Sequence, residues 1–272
     1  MASTISRTLP RVLAQASCQS IRAPLTRPSL LLTRSPTSII TQCRRNLATS
    51  FDAASQPRLR LGSVAPNFQA KTTHGDIDFH QWLGNSWGIL FSHPADFTPV
   101  CTTELGAFAK LKFEFEARNV KMIGLSANDL GSHDKWIQDI NELSKTDLAF
   151  PIIADADRKV AWTYDMIDQQ DLENIDEKGI AFTIRSVFII DPSKKIRLTM
   201  MYPASTGRNT AEVLRVIDSL QLGDAKGVTT PIDWQKGDDV IVPPSVKTED
   251  ARKKFQNLRE LKPYLRFVDN PK

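Results

Sequence analysis

From residue 58 onward, short apolar segments alternate with longer amphipathic ones, and this alternation restricts the possible folds more than any other feature of the chain. Such alternation of strands and helices is typical of an α/β sandwich built around a mainly central sheet. The predicted strands are Gly88–Ser92, Val120–Ser126, Ile152–Ala154, Ser186–Asp191 and Ile196–Tyr202. The predicted helices are Pro99–Glu116, Ser132–Leu143, Lys159–Tyr164 and Thr210–Leu220.

The first fifty residues have a different composition from the rest. They contain seven arginines, no lysine and no acidic residue before Asp52, and serine and threonine are frequent. An Arg-rich, Ser-rich, acid-free leader is typical of a mitochondrial transit peptide. We therefore predict a transit peptide over residues 1–50, cleaved near Arg44 to Ser50, with the mitochondrial matrix as the expected compartment. The alternative is a basic tail that binds an acidic partner.

The leader also accounts for the basic balance of the chain. Of 35 basic residues, against 31 acidic ones, seven are the leader arginines, which leaves 28 against 31. The remaining chain lacks the basic, aromatic-rich face of a nucleic-acid binder. No apolar run approaches the roughly 20 residues of a membrane span. We expect neither nucleic-acid binding nor a membrane span.

Three cysteines restrict the redox chemistry. Cys18 and Cys43 lie in the leader, so Cys101 is the single thiol of the predicted mature chain, which excludes an internal disulfide. There is no CxxC motif, and the histidines are too scattered along the sequence to predict a zinc site. No bound cofactor or metal is expected. The histidines are His74, His80, His93 and His133.

The segment after residue 222 has a different character. It contains five prolines, one charged helix candidate at Thr248–Asn257 and no sustained apolar period. We predict one main domain over residues 58–222 and a small C-terminal extension over residues 223–272.

The segment most indicative of function runs from Phe91 to Leu105 and reads FSHPADFTPVCTTEL. It follows a predicted strand and enters a helix, at the sheet edge where α/β proteins usually place their chemistry. Thr98 and Pro99 form a helix start, which puts Cys101 at the third helical position. We expect the Thr98 hydroxyl beside the Cys101 sulfur and a helix end that favours the thiolate. The alternative is a small, buried, inert cysteine.

Pro94, Thr98 and Cys101 reproduce the PxxxTxxC motif, and here the sequence resembles the peroxiredoxins. Four further segments and the C-terminal extension resemble the one-cysteine subclass. This resemblance implies a thioredoxin-like sandwich with a small C-terminal extension that contributes to a homodimer. The segments are LGSVAPNF at 61–68, RSVFIID at 185–191, YPASTGRN at 202–209 and TPIDW at 230–234.

The resemblance also implies a role for each residue of the motif. Cys101 would attack a hydroperoxide and become a sulfenic acid. Thr98 would hydrogen-bond the peroxide, and Pro94 would shield the sulfur from water. Arg185 would stabilise the thiolate and the charge that develops on the peroxide oxygens.

Three supporting residues follow from the same resemblance. Glu104 and Arg208 are similar to the carboxylate and second arginine that hold the site, and His93 matches a histidine flanking the pocket. Some of these residues have simpler interpretations. Glu104 could be a first-turn acid and His93 a strand-end histidine. Arg185, named above, could be a solvated strand-edge charge.

The absence of a second cysteine from the predicted mature chain implies an external thiol reductant. Glutathione, alone or with a glutaredoxin or a glutathione transferase, is the first choice, and a thioredoxin is the second. The expected substrates are hydrogen peroxide and organic hydroperoxides. We expect Cys101 to be exposed and therefore open to overoxidation.

Two other functions fit parts of the sequence. GNSWG at 84–88 matches the GxSxG elbow of serine hydrolases, with Ser86 and His80 in the positions of a phospholipase-type site, although the acid position holds Ser193 and Asp191 lies nearby. The second alternative is a peroxide sensor or chaperone that uses Cys101.

Overall fold

A mixed sheet of seven strands organises the computed structural model, which describes residues 56–171 and 182–271. The strand order is β2-β1-β5-β4-β3-β6-β7. The central strands β3 and β6 are buried along their whole length, as expected of near-continuous apolar segments covered on both faces. The strands are β1 (Gln69–Thr72), β2 (Gly75–Asp78), β3 (Trp87–Ser92), β4 (Val120–Ser126), β5 (Ile152–Ala154), β6 (Arg185–Ile190) and β7 (Ile196–Tyr202).

The pairing of the central strands positions the functional segment. β3, β4 and β5 run parallel, whereas β6 is antiparallel to β3, with Phe91 opposite Val187. The end of β3 therefore meets the beginning of β6. The Ser92 and Ser186 hydroxyls confirm this proximity, since their oxygens are 2.8 Å apart. Arg185, the first residue of β6, consequently lies beside the loop that follows β3.

Helices cover both faces of the sheet, which confirms the predicted α/β class. On one face, α2, α4 and α6 pack on Ile89, Phe91 and Val187; on the other, α1 and α5 pack on Leu90 and Phe188. The helices are α1 (Phe79–Leu83), α2 (Pro99–Lys110), α3 (Lys112–Glu116), α4 (Leu130–Ser144), α5 (Lys159–Thr163) and α6 (Thr210–Lys226).

Several predicted element boundaries are wrong. The helix predicted over 99–116 is two helices, because Leu111 leaves the helical conformation with φ −91° and ψ 10°. α6 continues past Leu220 to Lys226, where Gly227 ends it with φ +66°. The predicted domain boundary at residues 222 and 223 therefore falls inside a helix. The hairpin β1–β2 was missed because its strands are short and half-exposed.

The C-terminal extension folds around a small core of its own. This core includes Trp234, Val240, Ala251 and Val268. The elements are β8 (Val240–Ile241), α7 (Thr248–Lys254), β9 (Arg259–Lys262) and β10 (Leu265–Val268), and the sheet order is β8-β10-β9. α7 ends at Lys254, three residues before the predicted Asn257.

The predicted transit peptide, with Cys18 and Cys43, lies outside the described residues. Within the described ranges, no helix combines the length and apolar character needed to cross a bilayer.

Candidate active site

The first turn of α2 carries Cys101. Thr98 occupies the N-cap position with extended backbone (φ −113°, ψ 145°), and Pro99 begins the helix, as the sequence predicts. The Thr98 hydroxyl, however, donates to the Ala95 carbonyl at 2.9 Å, and it caps no helical amide. The preceding loop turns through a left-handed Phe97 (φ +54°), and the Ala95 carbonyl lies within reach of the hydroxyl. The expectation that this hydroxyl caps a helical amide is therefore not met.

Cys101 is completely buried, which corrects the expectation of an exposed thiol. Its side chain belongs to the apolar core between the sheet and the helices on one face. Pro94, in the loop before α2, is buried as well. The sulfur is therefore not accessible from solvent in this conformation.

Arg185 provides the polar partner of this buried sulfur. Its Nη1 donates to Cys101 Sγ at 3.1 Å and to Glu104 Oε2 at 2.6 Å. Its Nε and Nη2 donate to the Ala204 carbonyl at 2.9 and 2.8 Å. Because the guanidinium is planar and held on several sides, one of its N–H groups is fixed toward the sulfur.

Glu104 connects Arg185 to a second arginine. Three residues after Cys101, it lies on the same face of α2. Its Oε1 accepts from the amide and Nε of Arg208 at 2.8 and 3.0 Å, and its Oε2 accepts from Arg208 Nη2 at 2.8 Å. Burial raises the pKa of Glu104, but the charge and hydrogen bonds of Arg208 outweigh burial and lower it. Arg208 Nη1 also donates to the carbonyls of Ser92 and Ser186 at 2.9 and 3.1 Å.

The charges of this cluster do not balance. The side chains of Arg185, Arg208 and Glu104 are at most 4% exposed, and together they carry two positive charges and one negative charge. Uncompensated charge in a buried site is costly. The Cys101 sulfur, which accepts from Arg185 Nη1, lies against this excess positive charge.

His93 is buried in the loop before α2, and its Nε2 lies 3.0 Å from Asp96 Oδ1. Asp96 Oδ2 lies 2.7 Å from His133 Nδ1 on α4. The histidines are too scattered along the sequence to predict a zinc site, but in the structure His93 and His133 meet at the Asp96 carboxylate. One atom of each of these three residues could bind a metal ion, and the three atoms lie within 4.8 Å of one another. The distances of 3.0 and 2.7 Å between the rings and the carboxylate are, however, those of hydrogen bonds.

Sequence reasoning missed Asp96 and His133. Asp96 lies three residues after His93, and His133 lies in the first turn of the helix that follows β4. β3 and β4 are adjacent and parallel, so the segments after them meet at one sheet edge. That rule could have placed both residues near Cys101.

The candidate serine, histidine and acid of the possible hydrolase site bond to other groups and not to one another. Ser86 donates to Asn119 Oδ1 at 3.0 Å, and His80 Nε2 lies 2.8 Å from the Ala65 carbonyl. Asp191 accepts from Ser193 at 2.7 Å. Ser86 also precedes a strand, whereas a nucleophile elbow follows one. The described residues therefore form no serine–histidine–acid triad at this position.

Two family models match the chain. The model described as "AhpC/TSA family" matches residues 61–199, and the model described as "C-terminal domain of 1-Cys peroxiredoxin" matches residues 219–258.

Curated relatives are similar over most of the chain. The mitochondrial peroxiredoxin PRX1 of Saccharomyces cerevisiae is 60% identical over 223 residues, which cover 82% of this chain and 85% of the yeast protein. Human peroxiredoxin-6 is 51% identical over 223 residues, which cover 78% of this chain and 98% of the human protein.

Solved structures show the same fold. A yeast mitochondrial 1-Cys peroxiredoxin, whose thiol is described as resolved via glutathione/thioredoxin systems, matches with a TM-score of 0.71 and 56% identity, covering 78% of this chain and 100% of that chain. Peroxiredoxin 6 of Arenicola marina matches with a TM-score of 0.75 and 48% identity, covering 79% and 100% respectively.

Glu104→Gln tests the charge cluster. We expect the substitution to lower the free energy of unfolding by about 3 to 5 kcal/mol near neutral pH, because two buried guanidiniums lose their carboxylate. Since folding lowers the pKa of Glu104, its contribution is present above the ordinary value of 4.5 and is lost as pH falls through the folded value. Urea unfolding across this pH range should show native and variant stabilities converging in acid.

The matched control is Glu212→Gln, which removes a half-exposed carboxylate paired with Arg215 on α6. We expect a change below about 1 kcal/mol for this exposed pair. Equal effects of the two substitutions would contradict the described role of Glu104.

Proposed function

The chain belongs to the one-cysteine peroxiredoxins, which are thiol-dependent peroxidases, and we propose that Cys101 is its peroxidatic residue. The observation that carries the proposal is the 3.1 Å contact from Arg185 to a buried sulfur, within a cluster that has one excess positive charge. The thiolate attacks the terminal oxygen of a hydroperoxide. A sulfur–oxygen bond forms, the oxygen–oxygen bond breaks, and the departing oxygen takes a proton to leave as water or an alcohol.

The proposed roles of the other residues follow from their contacts. Negative charge moves from the sulfur to the departing oxygen during the reaction. The N–H groups of Arg185 are already fixed in place, so they can stabilise this developing charge without reorganisation. Glu104 and Arg208 act through Arg185 and are positioning residues. Thr98 and Pro94 shape the loop that encloses the sulfur, Thr98 through its bond to Ala95. Hydrogen peroxide and organic hydroperoxides are the proposed substrates.

Stopped-flow oxidation by hydrogen peroxide tests the assignment of Cys101. The full chain with Cys18→Ser and Cys43→Ser has one thiol, and we expect fast single-exponential oxidation that Cys101→Ser abolishes. The same protein and its Ser86→Ala variant are assayed on phospholipid in parallel. Oxidation no faster than that of free cysteine would refute the assignment, and phospholipid hydrolysis lost in Ser86→Ala would favour the hydrolase instead.

We further propose that an external thiol, glutathione or a thioredoxin, reduces the sulfenic acid. Cys101 is the single cysteine among the described residues, and the yeast structure noted above is described in terms of these two systems. Since Cys101 is buried, the first turn of α2 has to open before a thiol reaches it. Trp136 on α4 holds this turn, because its Nε1 donates to Thr102 Oγ1 at 3.1 Å.

Intact-mass measurement tests this step. After one equivalent of peroxide, we expect glutathione to form a mixed disulfide at Cys101. Trp136→Phe keeps an aromatic ring but removes the donor, and we expect adduct formation to accelerate about fivefold for the loss of about 1 kcal/mol of hydrogen bonding. Trp82→Phe on α1 is the control, since Trp82 packs against the other face. A sulfenic acid that persists with glutathione but reacts with thioredoxin would select the second reductant.

Location and assembly are proposed on separate grounds. The composition of residues 1–50 and the mitochondrial yeast relative support import into mitochondria, with the matrix as destination. The C-terminal extension, matched by the one-cysteine model, is proposed to contribute to a homodimer.

A further inference from the structure

A second buried network is centred on Asp96 in the loop that precedes α2. It adjoins the sulfur site through His93, which follows Ser92, whose carbonyl accepts from Arg208. Asp96 is 5% exposed, and its carboxylate receives hydrogen bonds from three parts of the fold. Besides His93 and His133, the Ser132 hydroxyl donates at 2.7 Å and the Ser126 hydroxyl at 3.4 Å. The Asp96 amide donates to Asn128 Oδ1 at 3.1 Å. The loop between β3 and α2 is thus tied to the end of β4 and to the first turn of α4.

The carboxylate of this network is charged. Burial raises the pKa of Asp96, but the hydrogen bonds from His133 and His93 outweigh burial and hold it well below its usual range. No arginine or lysine pairs with Asp96 in the described part of the chain, and the two imidazoles are its ring partners.

Hydrogen-bond chemistry assigns the protons of both rings. His133 Nδ1 faces Asp96 at 2.7 Å and its Nε2 faces the Ile153 carbonyl at 3.3 Å, and both oxygens only accept. Both nitrogens can donate only if His133 carries two protons, and its positive charge then balances Asp96. His93 Nε2 faces the same carboxylate and therefore carries a proton.

His93 Nδ1 remains as a bare acceptor. This atom is buried and has no hydrogen-bond partner among the described residues. Burial lowers the pKa of His93 against the opposing effect of Asp96, and the charges of His133 and Arg208 lower it further. An unpaired buried acceptor is costly, and such atoms often mark a group that is paired in another state of the protein.

We propose that His133 is a positioning residue for the reaction at Cys101: acting through Asp96, it keeps His93 neutral with Nδ1 free to accept a hydrogen bond from the reacting hydroperoxide. The proposal rests on the proposed role of Cys101 and adds to it a residue on α4. Without the positive charge of His133, Asp96 would draw a proton onto His93. Nδ1 would then become a donor, and the acceptor would be lost.

His133→Asn tests this role, because asparagine places an amide near the position of Nδ1 but never carries a charge. In the single-thiol full chain, we expect the acid limb of the Cys101 oxidation rate to shift upward by about one pH unit. The rate would fall about tenfold near pH 6 and less than about twofold near pH 9. Asp134→Asn, an exposed neighbour on α4, should leave the profile unchanged.

Adding Asp96→Asn to His133→Asn distinguishes positioning from mere structural support. Removing the uncompensated negative charge should return the acid limb toward the native position. If His133 and Asp96 gave only structural support, the losses from the two substitutions would accumulate, and the double variant would be slower at every pH. An unshifted profile in His133→Asn with native rates would refute the proposal and leave the role of Cys101 intact.

Nitrogen NMR of the ¹⁵N-histidine-labelled native chain needs no variant to fold. We expect, near pH 7, a proton on Nε2 alone for His93 and protons on both nitrogens for His133. A proton on His93 Nδ1, or a singly protonated His133, would overturn the proposal. So would stoichiometric zinc that is retained by the native protein and lost in His133→Asn. Slow oxidation of native Cys101 would instead refute the proposed function, whatever the NMR result.

Discussion

The excess positive charge around Cys101 is the constraint on which the rest of the site depends. Two guanidiniums and one carboxylate are buried together, and the nearest uncommitted group is the sulfur. Burying unbalanced charge destabilises a fold unless a counter-charge compensates it. In the proposed function, a thiolate at Cys101, the single cysteine among the described residues, supplies this counter-charge. The stability of the resting site and the proposed reactivity of the sulfur would then have the same physical origin.

The antiparallel pairing of β3 and β6 makes this arrangement possible. Arg185 begins β6 and Cys101 follows the end of β3, so residues separated by 84 positions meet at one sheet edge. Arg208 spans the same junction, since it donates to the carbonyls of Ser92 and Ser186 on the two strands. A single sheet register therefore sets the geometry of the whole cluster. On the opposite side of the loop, Asp96 ties the same segment to β4 and α4.

The sequence predicts the parts of this structure that depend on local pattern. The ranges of β4, β5 and β7, the α2 start at Thr98 and Pro99, and the third helical position of Cys101 all follow from apolar runs and capping chemistry. Resemblance to a family, rather than pattern, singled out Arg185, Glu104 and Arg208. The structure brings these three residues together at the sulfur, while their catalytic roles remain proposals.

Local sequence patterns could not predict how the strands pair across the sheet or which acceptor a given hydroxyl would choose. The Thr98 hydroxyl donates to the Ala95 carbonyl and caps no amide, because a left-handed Phe97 shapes the preceding turn. The complete burial of Cys101 depends on α2 packing against the sheet and its neighbouring helices. The meeting of His93 and His133 at Asp96 requires the order of β3 and β4. α6 continues past the predicted Leu220 to Lys226, and Gly227, which adopts the left-handed conformation, ends it.

The most direct measurement compares the second-order rate of Cys101 oxidation by hydrogen peroxide in Arg185→Gln and Arg197→Gln. Arg197, on β7, pairs with Asp224 and is partly exposed, so its loss removes a positive charge from the same sheet without affecting the sulfur. We expect Arg185→Gln to lower the rate by about 100-fold or more, as loss of a preorganised donor does in other enzymes, and Arg197→Gln to change it less than about twofold. Equal rates in the two variants would contradict the claim that the guanidinium of Arg185 activates the buried sulfur.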